Sequence, residues 1–301
     1  MKNARNAHYL QIDNHIKEIS GKEGIVILPS PEAWEKLNWT KKYFSQKPKQ
    51  GYFIWLKKQI NLPIFTCISI ASKNIRQKLQ NLIILEKNLK ISIQGTCNTL
   101  KARLSGIHKA QGKIILKENS SLKYEHIHSW DKEDYVQTEY EFFLEKKSKL
   151  DYNYKTLSPS GKLKIKTRAN LLERAKANLK IVGDCNSTEA EIKESLILEG
   201  KESSGQIQLR IVGRENSKIS AHSQILALSP ARGHLDCQGL MASKNSKISL
   251  LPELICKNKD AQITHEASIG KISEDELNYL RMRGLNEQKA INLITSGFLK
   301  A

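Results

Sequence analysis

Six apolar positions, each reached from a short polar turn, recur at a nearly fixed interval through the middle of the chain. Lys117-Glu118-Asn119-Ser120-Ser121 leads to Leu122, Glu145-Lys146-Lys147-Ser148-Lys149 to Leu150, and Arg174-Ala175-Lys176-Ala177-Asn178 to Leu179. Gly205-Gln206 leads to Ile207, Arg214-Glu215-Asn216-Ser217-Lys218 to Ile219, and Ser243-Lys244-Asn245-Ser246-Lys247 to Ile248. Successive marks lie 28, 29, 28, 12 and 29 residues apart, with short alternating strand-like stretches between them. Such a period predicts a β-solenoid, because one coil cannot bury its inner face alone and stacked coils share a core. A β-sandwich, whose strands recur every ~8–12 residues, is the competing reading. Either array leaves edges that must be capped or paired with another chain.

This mostly-β region is expected over residues 86–266, with a mixed helix-and-strand region before it (1–85) and a helical segment after it (267–301). In the first region a helix is expected from about Asn6 to Ile19, then a strand at Ile25–Leu28. Ser30-Pro31-Glu32 then opens a helix that brings Trp34, Leu37 and Trp39 together. Trp55 and Ile64–Ile70 read as strand. In the last region Ser273-Glu274-Asp275-Glu276 is a capping box before Leu277, Leu280 and Met282, and Arg281, Arg283 and Gly284 form the stop. Asn286 caps a second helix with an apolar stripe of Ala290, Ile291, Ile294 and Phe298. That stripe needs a surface to cover.

The chain has 301 residues, and 49 Lys+Arg against 31 Asp+Glu give a net charge of +18. Apolar residues make up 39%, too many for a disordered chain. No apolar run approaches the ~18–20 residues that span a bilayer; the longest, Ile25-Val26-Ile27-Leu28, stops at Pro29. The N-terminal stretch lacks the apolar core of a signal peptide, so a cytoplasmic location and no membrane partner are expected. The charge invites a nucleic-acid reading. Lys162, Lys164, Lys166 and Arg168 alternate with Leu163, Ile165 and Thr167, which makes one strand face cationic. A general Lys, Asn and Ile bias gives the same excess as a solvated coat, and that is the preferred reading.

Ser160-Gly161-Lys162 is the nearest approach to a phosphate loop, but Thr156 stands where the first glycine belongs and Leu163 replaces Ser/Thr. The five cysteines are Cys67, Cys97, Cys185, Cys237 and Cys256. Their odd number and wide spacing argue against a disulfide framework or zinc ribbon and for reduced thiols, mostly core fillers. Cys237, in Gly233-His234-Leu235-Asp236-Cys237, and the downstream His265-Glu266 offer a thiolate, an imidazole and a carboxylate, a ligand set suited to iron. Neighbours on a strand face opposite ways, so His265 and Glu266 share a site only at a strand end or bulge. A buried cysteine and a structurally satisfied histidine are the plainer alternatives. His126 and His128, with His108 upstream, share one strand face. They read as a metal pair or as part of a polar outer face, the latter preferred.

Thr264-His265-Glu266-Ala267-Ser268-Ile269-Gly270-Lys271-Ile272, Glu276-Leu277, Tyr279-Leu280, Arg283-Gly284-Leu285 and Gly297-Phe298 resemble the C-terminal signature of the SufB/SufD family, scaffolds of SUF-type iron–sulfur cluster assembly. Gly106-Ile107-His108-Lys109, Ile127-His128-Ser129-Trp130, Gly233 to Leu240 and Pro252-Glu253-Leu254 resemble the shorter archaeal-type, SmsB-like members. The resemblance covers about residues 95–301 and implies a right-handed parallel β-helix with flanking helical parts. It places Cys237 at the essential interface cysteine, Glu266 at its carboxylate partner and His265 at the adjacent histidine. Thr264 stands where bacterial SufB has another Glu. Cys97, Cys185 and Cys256 are candidates for a sulfur relay, with Cys67 weaker, and His234, His108 and His128 for accessory roles. Glu276, Tyr279, Leu280, Arg283 and Gly284 fall where a SufC-type ABC ATPase would dock.

The implied function is a non-enzymatic scaffold on which a nascent iron–sulfur cluster forms at a dimer interface. ATP and Mg would bind on the ATPase, in a 2:2 complex of homodimeric scaffold and SufC-type subunits. A cysteine desulfurase or other sulfur donor would supply sulfide, with reduced flavin a further cofactor in the family's chemistry. The alternatives are a SufD-like structural partner of a separate SufB-like chain and a basic solenoid that binds nucleic acid.

Overall fold

The computed structural model describes residues 6–300. A hairpin of β1 (His8–Ile12) and β2 (His15–Ser20) is followed by β3 (Ile25–Pro29), α1 (Ser30–Lys36) and a 3-10 turn over Asn38–Tyr43. Next come β4 (Tyr52–Leu56), β5 (Ile64–Ile70), β6 (Arg76–Leu85), β7 (Lys90–Thr99), β8 (Ile107–Leu116), β9 (Ser121–Ser129), β10 (Tyr135–Leu144) and β11 (Lys149–Ser158). Then follow β12 (Lys162–Leu171), β13 (Lys176–Asn186), β14 (Glu189–Leu198), β15 (Ser204–Arg214), β16 (Lys218–Ala227), β17 (Arg232–Met241), β18 (Lys247–Cys256) and β19 (Gln262–Lys271). The last elements are α2 (Glu274–Met282) and α3 (Glu287–Lys300).

Two sheets take alternate strands. One runs β19-β17-β15-β13-β11-β9-β7-β5-β1-β2, the other β18-β16-β14-β12-β10-β8-β6-β4-β3. All neighbours from β4 onward are parallel, so the chain is a β-solenoid of about eight two-strand turns. The registers stay in phase: Val136, Leu163, Ala190, Ile219 and Ile248 lie in one line across five strands, and their side chains point between the sheets. Period-2 alternation along each strand therefore becomes a set of columns along the solenoid.

The sequence period has a physical origin in the turns. Asn88, Asn119, Lys147, Arg174 and Glu202 sit at positive φ and each donates its N–H to a carbonyl of the next coil, 2.8 to 3.2 Å away. A left-handed residue costs about 1 kcal/mol outside glycine; the hydrogen bond between coils offsets it and fixes the stacking. The odd 12-residue interval is a change of sheet. Leu122, Leu150, Leu179 and Ile207 belong to one sheet, Ile219 and Ile248 to the other.

The expected helix over residues 6–19 is instead the β1–β2 hairpin. Its buried residues Tyr9 and Gln11 alternate with period 2 rather than 3.6, and Asp13 turns the chain at φ 55°. β1 adds to β5 in parallel and, with β2, closes the N-terminal end. α1 forms at Ser30-Pro31 as expected and packs with Phe53, Leu82, Ile84 and Trp55 on the outer side of the β4/β6 sheet. The last two strands, like β2 at the other end, are far less buried than the coils between them. No described helix is long and apolar enough to cross a membrane.

Candidate functional site

The inward columns carry both the apolar core and the chemistry. On β7 and β9, Ile91, Ile93, Leu122 and Tyr124 fix which parity faces inward, and Cys97, His126 and His128 share that parity. His126 and His128 are 1% exposed, so they are not part of a polar outer face. The ligand atoms of Cys97, His126 and His128 all lie within 4.8 Å of one another.

Hydrogen-bond donors settle the tautomers in this group. The Trp130 indole N–H donates to His128 Nδ1 at 3.0 Å, so neutral His128 carries its proton on Nε2. That proton points at His126 Nε2, 2.9 Å away, which leaves His126 to donate from Nδ1 to the Tyr152 hydroxyl oxygen at 3.1 Å. Cys97 Sγ is 3.8 Å from the same His126 Nε2. Burial holds His126 at about 3 and drives His128 well below the ordinary imidazole value, so both stay neutral. Burial also pushes the Cys97 thiol far up. His108 stands beside them, its ring 4.8 Å from that of Trp130. Gln77 donates its amide N–H to the Asp13 and Ser69 carbonyls, so its oxygen faces His108 Nδ1 at 2.8 Å. His108 Nε2 is then a bare lone pair in the core, with no hydrogen-bond partner.

Cys237 lies on β17 in the same inward column as His126, between Leu209 of β15 and Ala267 of β19. It is 2% exposed, and burial pushes its thiol to about 12. Ser223 faces it from β16 and donates to Glu194 Oε2 at 2.9 Å. Glu194 is a buried carboxyl whose Oε1 has no partner, and burial raises it to about 8. On the outward side of β17, Asp236 forms a two-pronged ion pair with Arg210, at 2.5 and 3.0 Å.

His265 and Glu266 fall on opposite faces of β19, which runs in unbroken register with β17. His265 stands in the inward column beside Leu235, and Glu266 is outward beside Asp236. Both are exposed. Within one chain the structure therefore does not bring Cys237, His265 and Glu266 into one ligand set. His234 is outward and contacts Thr264 Oγ1 at 2.8 Å. Cys185 is fully buried and pushed to about 12, Cys67 is half-buried, and Cys256 is exposed. Cys97 and Cys237 are separated along the solenoid by the strands between β7 and β17.

The capping box at Ser273 and Glu276 forms, Leu277 is buried, and Gly284 ends α2 at φ 88°. Tyr279 is exposed and stacks under the Arg283 guanidinium at 5.4 Å; Leu280 is half-buried, and Met282 is fully outward. The α3 stripe of Ala290, Ile291, Ile294 and Phe298 is turned from solvent. Arg214 pins this helix to the outer face of the β13/β15 sheet through Asn292 and Thr295, while also pairing with Asp184.

Sequence reasoning missed Glu194, Arg210 and the inward turn of His126. Parity was the available signal: Ala190, Ile192 and Leu196 face inward, and Glu194 shares their spacing.

A family model described as SUF system FeS cluster assembly, SufBD core domain, matches residues 68–298. A protein of Archaeoglobus fulgidus, described as an iron-sulfur cluster assembly SufBD family protein, is 28% identical over 99% of this chain and 86% of its own length. A protein of the same description from Methanothermobacter thermautotrophicus is 27% identical over 97% of this chain and 77% of its own. One from Staphylococcus epidermidis is 23% identical over 83% of this chain and 55% of its own.

Proposed function

The chain belongs to the SufBD family of iron–sulfur cluster assembly proteins, and from that premise we propose that it is the scaffold on which the cluster is built, without turnover of its own. Its partners in this reading are a second copy of itself and a SufC-type ATPase, with ATP and Mg on the latter and sulfide from a desulfurase-type donor. The observation that carries the reading is the position of Cys237. It lies one strand behind the open end of the solenoid, with His265 and Glu266 on the terminal strand in front of it.

Burial keeps the thiol protonated as the chain stands, and a protonated thiol is neither nucleophile nor ligand. Loading would therefore need the end turn to open, and ATP-driven movement of the helical segment α2–α3 supplies such a step. Anaerobic reconstitution of the full chain with ferrous iron and sulfide tests this. A sulfide-to-iron charge-transfer absorption is expected, lost in Cys237→Ala and weakened in Glu266→Ala. A full cluster in Cys237→Ala would sink the assignment. A chain that stays monomeric until another scaffold chain is added would favour the SufD-like reading instead.

A further inference from the structure

We propose that Cys97, His126 and His128 form a second site inside the solenoid, separate from the open end, that binds one divalent transition-metal ion of borderline softness. Three observations carry it. The thiol and two imidazole nitrogens converge within 4.8 Å, with Sγ to Nε2 at 3.8 Å and Nε2 to Nε2 at 2.9 Å. Bond lengths of ~2.0–2.1 Å to nitrogen and ~2.3 Å to sulfur set ligand atoms about 3.3 to 3.6 Å apart around a tetrahedral ion. The His126–His128 and Cys97–His126 separations need shifts of a few tenths of an ångström, and Cys97 and His128, within 4.8 Å of each other, close by up to about 1 Å.

Each imidazole also has its far nitrogen engaged, His126 by Tyr152 and His128 by Trp130. Such outer partners orient metal-bound histidines. The third observation is independent of the other two. His108 Nε2 is a buried lone pair with no partner, on a tautomer locked by Gln77, and its ring centroid is 6.0 Å from that of His128. A buried acceptor left in this state is unfavourable. His108 borders the three converging ligands without being one of them, and a shift of its ring toward the ion would give that lone pair a partner.

Binding is an exchange of ion for protons. The thiol proton leaves, and so does the proton that His128 Nε2 gives to His126 Nε2, because the Trp130 N–H already occupies the other nitrogen of His128. A divalent ion with one thiolate, one imidazolate and one neutral imidazole has no net charge, which is the condition a low-dielectric core imposes. Thiolate with imidazole favours zinc or ferrous iron over magnesium or calcium.

Cobalt(II) is the probe. The full chain is produced in cobalt-supplemented medium, so that the ion can enter before the core closes, and is then gel-filtered with chelator. The expected result is one cobalt per chain with a thiolate-to-cobalt charge-transfer band. Band and ion should be kept in Cys237→Ala, Cys256→Ala and Cys67→Ala, and lost in Cys97→Ala and in His126→Gln while circular dichroism stays that of the folded chain. No retained ion, or an ion that persists in folded Cys97→Ala or that follows Cys237, overturns the proposal. Because the Cys237→Ala arm is read separately, failure here leaves the scaffold reading standing, and the reverse holds too.

Discussion

Glu194→Gln removes a carboxyl that the core holds protonated. In the folded chain burial raises this group to about 8 from an ordinary 4.5, and Ser223 donates to one of its oxygens while the other has no partner. The unfolded chain gives up the proton near 4.5, so between the two values the unfolded state is the one that ionises. Stability from this group is therefore fully present below about pH 4.5 and is lost as pH rises toward 8. Each pH unit well inside that window costs the wild type about 1.4 kcal/mol; with the slope flattening at both ends, this makes about 3–4 kcal/mol between pH 5 and pH 8. Glutamine is neutral throughout, and its oxygen can take the Ser223 hydrogen bond.

Urea denaturation of wild type and Glu194→Gln at several pH values measures the difference directly. The two stabilities should diverge with rising pH, with the variant about 3–4 kcal/mol better at pH 8 than its own offset at pH 5. Parallel curves would refute the reasoning, because they would mean that Glu194 is ionised in the fold or reached by water.

Asp236→Ala should destabilise by about 3–5 kcal/mol, since it strands the Arg210 guanidinium, whose side chain is only 6% exposed; a loss below 1 kcal/mol in the denaturation midpoint would contradict this. Replacing both Arg210 and Asp236 by Met and Leu should recover most of it. Gly112→Ala should cost about 1–3 kcal/mol, because an added Cβ would stand 2.4 Å from the packed ring of Tyr140; thermal unfolding checks it. Arg214→Ala should free α3, and amide exchange should rise across residues 287–300 while the coils keep their protection.

The solenoid was legible because its cause is local. Each coil needs a turn residue at positive φ and an inward apolar residue at a fixed distance from it, and both leave marks in composition. The hairpin at His8–Ser20 was not legible, because a short amphipathic stretch satisfies helix and strand patterns alike, and pairing with β5, far along the chain, decided it. The interior chemistry was half legible. The thiols and histidines were visible as residue types, but the preferred reading of His126 and His128 is a polar outer face, although their parity with Leu122 and Tyr124 carries the signal that they face inward. What no spacing revealed is which columns face each other across the two sheets. That is how Ser223 and Glu194 of one sheet come to meet Cys237 of the other. The cationic strand at Lys162–Arg168 is outward as expected, and Lys164 and Lys166 pair with Glu191 and Glu139 of the adjoining coils. Stacking coils in register would set lysine on lysine, and acids one coil away relieve that.

The open end limits how a second copy could join and build a shared site. β18 and β19 each have a neighbour on one side only, and the inward Ile269 is 43% exposed. A twofold axis relating two such ends lies across the solenoid axis. Normal to the sheets it pairs β19 with its own copy; along the strands it pairs β19 with the β18 of the other copy. Both pairings are antiparallel, because β18 and β19 run in opposite directions on the two faces of a coil. In either case Cys237 stays behind β19. When β19 pairs with its own copy, the β17 strands of the two copies are three strand spacings apart, about 14 Å, while two thiolates on one ion lie about 4 Å apart. Pairing alone therefore does not create a site that uses both cysteines; β19 must move. A disulfide between Gln238→Cys and Ser268→Cys, paired positions on β17 and β19, would lock it. The locked chain should keep its oligomeric state in light scattering and lose cluster uptake, with uptake restored by reductant. Full uptake with the lock closed would mean that Cys237 is reached without opening the end turn, and the geometry of the loaded site would have to be sought on the inner side of the solenoid.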